Sequence, residues 1–191
     1  LEATNYLAQQ IKEPNVNATD MGGTSFDIGL VTADGVKFYD FNPVIDRWLV
    51  STPMTYLHTL GAGGGSIARF DRLWNAVEVG PESAGSDPGP ACYGRGGTRP
   101  TVADADLVLG YLHPDNFSDG ALTLDASAAR AAIEREIATP LNRTVEDAAA
   151  AIHEIVVEQM SRAARLHAVT LGYDPRKLRM IAFGGAGPVH A

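Results

Sequence analysis

An octapeptide, Asp20-Met21-Gly22-Gly23-Thr24-Ser25-Phe26-Asp27, constrains this chain more than any other stretch. It lies between two apolar runs, 15–19 and 26–32, that read as strands. A D-x-G-G-T-x-x-D turn between strands has a physical use. Gly22 and Gly23 carry no Cβ, so their backbone can approach a phosphate closely and take up unusual dihedral angles at little cost. Backbone N–H groups, with the Thr24 and Ser25 hydroxyls, can cradle phosphate oxygens. Asp20 and Asp27 offer the carboxylates that a metal–nucleotide complex or a polarised water needs. The plainer alternative is a tight Gly-Gly hairpin flanked by solubilising acids.

A second glycine turn supports the first. Residues 177–183 read as a strand that runs into Gly184-Gly185-Ala186-Gly187-Pro188-Val189-His190. A strand feeding such a turn brings bare backbone against a nucleotide. The spacing is neither G-x-G-x-x-G nor a Walker A loop, so the turn gains meaning only beside the first one. Together they suggest two glycine turns facing one nucleotide cleft.

Between them lie two further loops. Gly61 to Ser66 is glycine-rich and includes Gly63, Gly64 and Gly65. Residues 80–100 hold six glycines and four prolines, which excludes an ordinary helix or strand. Long ordered loops of this kind are usually functional. Helices are expected over 1–11, 101–112, 127–138 and 144–171, the last capped by Thr144 and stopped by Gly172. The expected organisation is a phosphate-binding strand and hairpin region at 14–41, with residues 36–41 as its third strand. Glycine- and proline-rich loops follow at 58–100, a helical region at 101–172, and a strand with its glycine turn at 177–191.

Bulk properties exclude several partners. Fifteen basic against 23 acidic residues give a net charge of −8, which argues against nucleic acid. No apolar run approaches the length of a membrane span. A lone cysteine, Cys92, cannot form an internal disulfide and fits a reducing, cytoplasmic compartment.

Four blocks together resemble the hydantoinase A/oxoprolinase family: 20–28, 58–66, 79–98 and 183–191. The resemblance implies an α/β, actin-like ATPase (ribonuclease H-like) fold, a mixed sheet with flanking helices. Members include ATP-dependent hydantoinases, 5-oxoprolinases and lactam hydrolases, and subunits of acetone and acetophenone carboxylases are similar. The family pattern has an earlier phosphate turn of the D-x-G-G-T type. The single copy here corresponds to the second, and 184–190 to the adenosine-side motif. The chain is therefore expected to be an internal fragment of an ATPase domain, inactive by itself.

The implied chemistry is phosphorylation of a carbonyl oxygen by ATP with Mg2+ (or Mn2+). A cyclic amide is then hydrolysed or, alternatively, a ketone is carboxylated; a non-catalytic nucleotide-binding module is a third reading. The implied partner is a B-type subunit. Expected catalytic residues are Asp20, Asp27 and His58, with His58 as general acid or base or else a structural histidine. Gly22, Gly23, Thr24, Ser25, Gly184, Gly185, Ala186 and Gly187 are expected to bind nucleotide. Gly63, Gly64, Gly65, Ser66, Asp87 and Cys92 are expected on the substrate loops, with a small buried thiol as the alternative for Cys92. Asp20 and Asp104 are candidate metal ligands, although an acid at a helix start is commonly explained by the helix dipole. His113, His153 and His167 read as solvent or helix-face residues, and His190 as the possible start of another helix.

Overall fold

A computed structural model describes residues 1–191. The central sheet is built on the octapeptide. β1 (Val16–Met21) and β2 (Phe26–Thr32) pair antiparallel, with Asp20 opposite Asp27 and Met21 opposite Phe26. The Gly22 N–H donates to the Ser25 carbonyl at 3.0 Å and closes the turn. β3 (Gly35–Val36) and β6 (Leu57–Leu60) both pair antiparallel with β2. On the other side β9 (Arg179–Phe183) runs parallel to β1. The order β3-β2-β1-β9 makes this a mixed sheet, as expected.

β1 is covered on both faces, which is why it does not alternate. Val16 packs with Ala8 of α1 (Glu2–Gln10) and Val31. Met21, Phe26 and Ile28 face the main core, together with Ile152, Val156 and Met160 of α5 (Val145–Thr170). Thr144 caps α5 by accepting from the Asp147 N–H, and Gly172 follows its end with φ +83°. Both features match the sequence expectation. This long helix carries the chain back so that β9 can lie parallel beside β1.

A separate hairpin, β7 (Ser66–Asp71) with β8 (Ala76–Ser83), contributes Ala68 and Val79 to the same core. α2 (Val102–Val108) follows the irregular loop, and α3 (Ala126–Ile133) continues through a π-helical turn to α4 (Thr139–Leu141). A small hairpin, β4 (Val44–Ile45) and β5 (Trp48–Leu49), stands off the main sheet.

Three boundaries differ from expectation. The third strand stops at Val36, and Phe38 makes only an isolated bridge to Thr55. α2 ends at Val108 rather than Leu112, because Gly110 adopts φ +81° and the Tyr111 N–H turns back to the Asp106 carbonyl. The 80–100 loop is less irregular than its composition suggests. β8 runs on to Ser83, and residues 91–93 form a 3-10 turn.

Candidate functional site: three glycine loops around one cavity

The Gly22–Gly23 turn sits at the end of the sheet, and two other loops are bonded to it. The Gly64 N–H donates to the Gly22 carbonyl at 3.0 Å, and the Gly65 N–H to the Gly23 carbonyl at 2.7 Å. From the other side the Ala186 N–H donates to the Met21 carbonyl at 3.0 Å. Gly184 is required here twice over. Its φ is +85°, and a Cβ would overlap the Met21 carbonyl and the Asp20 carboxylate. Gly63 and Gly65 press against the Gly23 backbone in the same way. Ser66 is fully buried, and its Oγ accepts from the Gly63 N–H at 2.9 Å, so it holds the loop rather than facing solvent.

These loops wall a cavity of about 600 Å3. Gly22, Gly23, Gly64, Gly185 and Ala186 line it, together with Tyr93, Ala103, Asp106, Tyr111 and five residues of the 112–118 segment. Gly22, Gly23 and Gly185 have open space where a Cβ would project, so the wall offers backbone to whatever enters. A second cavity of about 340 Å3 lies between β1 and α5, and Val157, Met160 and Met180 make it largely apolar.

The remaining expected residues divide. Thr24 is exposed and Ser25 half-buried; both stay on the turn but do not line the larger cavity. Asp20 is exposed beside Gly184. Asp27, its cross-strand partner, accepts a hydrogen bond from the Thr59 hydroxyl and ties β6 to β2. Gly187 is buried. Asp87 is exposed and does not reach the cavity.

Three assignments need correction. Asp104 is completely buried, and its carboxylate accepts from the Ala91, Cys92 and Thr101 N–H groups and from the Thr101 hydroxyl, at 2.7–3.2 Å. Four donors saturate it, so it joins loop to helix and is no metal ligand. Cys92 packs under this carboxylate with Ala103, Leu107, Leu124 and Ala129. Burial, and then the Asp104 charge, push its thiol far above the usual range, so it stays a neutral packing residue rather than a substrate contact. His58 does not reach the cavity. It is exposed on β6, its ring 6.1 Å from that of His167. His167 lies fourteen positions beyond His153 on α5, which is about 21 Å along a helix.

One cluster escaped sequence reading. Asp106 on α2, His153 on α5 and His190 after β9 converge. The His153 Nδ1 lies 2.9 Å from one Asp106 carboxylate oxygen, and the His190 Nε2 3.1 Å from the other. These partners are 47 and 84 positions apart in sequence, so no local spacing announces them. Only the folding of α2 against α5 and the glycine turn brings them together.

The fold is thus a mixed sheet whose strand ends carry knitted glycine loops that present backbone to a cavity. Residues 1–191 match the hydantoinase/oxoprolinase family, and the chain belongs to it. It is 49% identical over 185 residues to the acetophenone carboxylase gamma subunit of Aromatoleum aromaticum, covering 97% of this chain and 25% of that one. It is 44% identical to the caprolactamase alpha subunit of Pseudomonas jessenii, covering 96% of this chain and 26% of that one. Two solved structures superpose closely. The nucleotide-free structure of acetone carboxylase, an enzyme of ATP-dependent acetone carboxylation, gives a TM-score of 0.89 at 37% identity, covering 98% of this chain and 26% of that one. The ATP-dependent caprolactamase of P. jessenii gives 0.85 at 43%, covering 97% and 27%. The chain thus spans about a quarter of the length of the relatives it matches. Those relatives are named as subunits of larger enzymes. No helix is long and apolar enough to cross a membrane.

Proposed function

We propose that this chain forms one side of an ATP site at which a carbonyl oxygen is phosphorylated, so that a cyclic amide can be hydrolysed. One observation carries the reading: the three glycine loops, bonded to one another, leave bare backbone along a cavity of about 600 Å3. That volume lies within the ~300–1,000 Å3 usual for small-molecule sites. Phosphoryl transfer asks mainly for positioning and charge neutralisation, which N–H groups on a rigid wall supply.

In this reading the Gly22 and Gly23 backbone holds phosphate oxygens along the cavity, with the Thr24 and Ser25 hydroxyls on the same turn at its edge, while Gly185 and Ala186 border the nucleoside and Gly184 and Gly187 hold their turn in place. Asp20, exposed beside Gly184, would hold Mg2+ (or Mn2+) or a water, and such an ion would supply neutralisation of phosphate charge. Asp27 acts through position, since its carboxylate already ties β6. The lactam oxygen displaces ADP from the γ-phosphorus. Water then adds to the carbonyl carbon, and the ring C–N bond breaks to give an acyl phosphate and the amine. A second water releases phosphate. A cytoplasmic complex with a B-type subunit fits the subunit names of the relatives.

The 49% identity with an acetophenone carboxylase subunit favours a second reading. There the same phosphoryl transfer gives an enol phosphate from a ketone, which then attacks CO2 derived from bicarbonate. Phosphate release from ATP, measured on the full chain with its partner subunit, tests both. Stimulation by hydantoins, 5-oxoproline or lactams supports the hydrolase. Stimulation by a ketone only with bicarbonate supports the carboxylase. Tight ATP binding without stimulation by either class overturns both in favour of a nucleotide-binding module.

A further inference from the structure

The Asp106 carboxylate is 3% exposed, and its only hydrogen-bonding partners are the two imidazoles. No lysine or arginine reaches it. A buried carboxylate needs partners, and two ring nitrogens are all that the protein offers it here. The His190 side chain is 1% exposed, and its Nδ1 has no partner, so no other protein group holds that ring. His153 stacks on it with ring centroids 4.7 Å apart. Asp106 also lines the glycine-walled cavity, so the cluster faces it through this residue.

We propose that Asp106, His153 and His190 bind one divalent transition-metal ion. The three donor atoms all lie within 4.8 Å of one another. Ligands at about 2.1 Å from a common ion stand about 3 Å apart at right angles and about 3.4 Å apart at the tetrahedral angle. The observed 2.9 and 3.1 Å separations, to Oδ1 and Oδ2 of Asp106 respectively, fall at the close end of this spacing, so the carboxylate would meet the ion through both oxygens or turn to offer one. Two imidazoles and one carboxylate suit Zn2+, Co2+, Mn2+ or Fe2+, whereas Mg2+ and Ca2+ take oxygen ligands. The site is therefore chemically distinct from a magnesium site at Asp20. Three protein ligands leave at least one coordination position for water or substrate, and Asp106 borders the cavity from which either could approach. The ion's part in turnover rests on the reading above; its binding does not.

The test uses the full chain, free of any histidine tag, stripped of metal and titrated with Co2+ without nucleotide. One equivalent should bind, give visible d–d bands and resist excess Mg2+. Asp106→Asn and His153→Gln should each weaken binding at least about tenfold, while His167→Gln leaves it unchanged. Pulsed EPR of the Cu2+-loaded wild type should report two coordinated imidazoles, which does not depend on any variant folding. Absence of Co2+ bands, fewer than two imidazoles, or affinity unchanged in folded variants of both ligands overturns the site and leaves a His–Asp–His hydrogen-bonded staple. Because nucleotide is absent, none of these outcomes depends on whether ATP turnover is found.

Discussion

Asp104 shows how far one residue's meaning depends on its neighbours. Its place at a helix start was legible, and in the structure it forms a capping box with Thr101. What the sequence could not show is that the Ala91 and Cys92 N–H groups arrive from the preceding loop to fill the same carboxylate. Asp104→Ala orphans these donors in a dry site, where each unsatisfied group costs about 1–3 kcal/mol. A loss of roughly 3–5 kcal/mol is expected, read by denaturant unfolding; a loss below about 1 kcal/mol would show that the loop rebonds elsewhere. His167 behaves differently. Burial, and then the nearby His58, lower its pKa from the ordinary value. The unfolded chain therefore binds a proton more readily than the folded one. The associated stability is complete above the unfolded value of about 6.5 and is lost as pH falls below it. His167→Phe should flatten the fall in Tm between pH 7.5 and 5.5, and an unchanged slope would place the pH sensitivity elsewhere.

At the scale of elements, the β1–β2 hairpin, the long α5 and the strand before the second glycine turn were all legible, because each has its pattern and its punctuation within one window. The knitting of the three glycine loops was legible only in part. Composition marked each loop as special, but which glycine faces the cavity and which packs on backbone is decided by tertiary contact. Gly184 and Gly185 separate the two roles. Gly184→Ala meets a positive φ and the Met21 carbonyl, so it should destabilise the fold and loosen the turn. Gly185→Ala meets nothing within 4 Å. It should leave Tm within about 1 °C yet weaken nucleotide binding by at least about fivefold, because the new methyl projects toward the cavity wall. Calorimetric titration of the full chain with ATP, beside thermal melts, checks the pair. Equal effects of both variants on Tm would contradict this division. The Asp106–His153–His190 cluster marks the opposite limit, since its members share no element and no spacing.

For the whole molecule, net charge and composition were enough to set aside nucleic acid as a partner, but not to say which apolar side chains the fold would leave uncovered. Trp48, Leu49 and Val50 are a short apolar run in the sequence, and such a run carries no sign of which way it faces. In the structure β4–β5 stands clear of the main sheet, with Phe41, Val44, Trp48 and Leu49 between 64% and 86% exposed. An isolated two-stranded hairpin is marginal in water, and contiguous exposed apolar surface promotes association. A net charge of −8 opposes contact between copies over about a Debye length, and salt screens that opposition. Self-association of the 191-residue chain is therefore expected to rise with both concentration and ionic strength. Trp48→Ser combined with Leu49→Ser should abolish it without changing the circular dichroism, because neither side chain belongs to the core. Light scattering after gel filtration reads the outcome. A wild type that stays monomeric throughout, or a double variant that associates as readily, would show that this hairpin is not the adhesive surface.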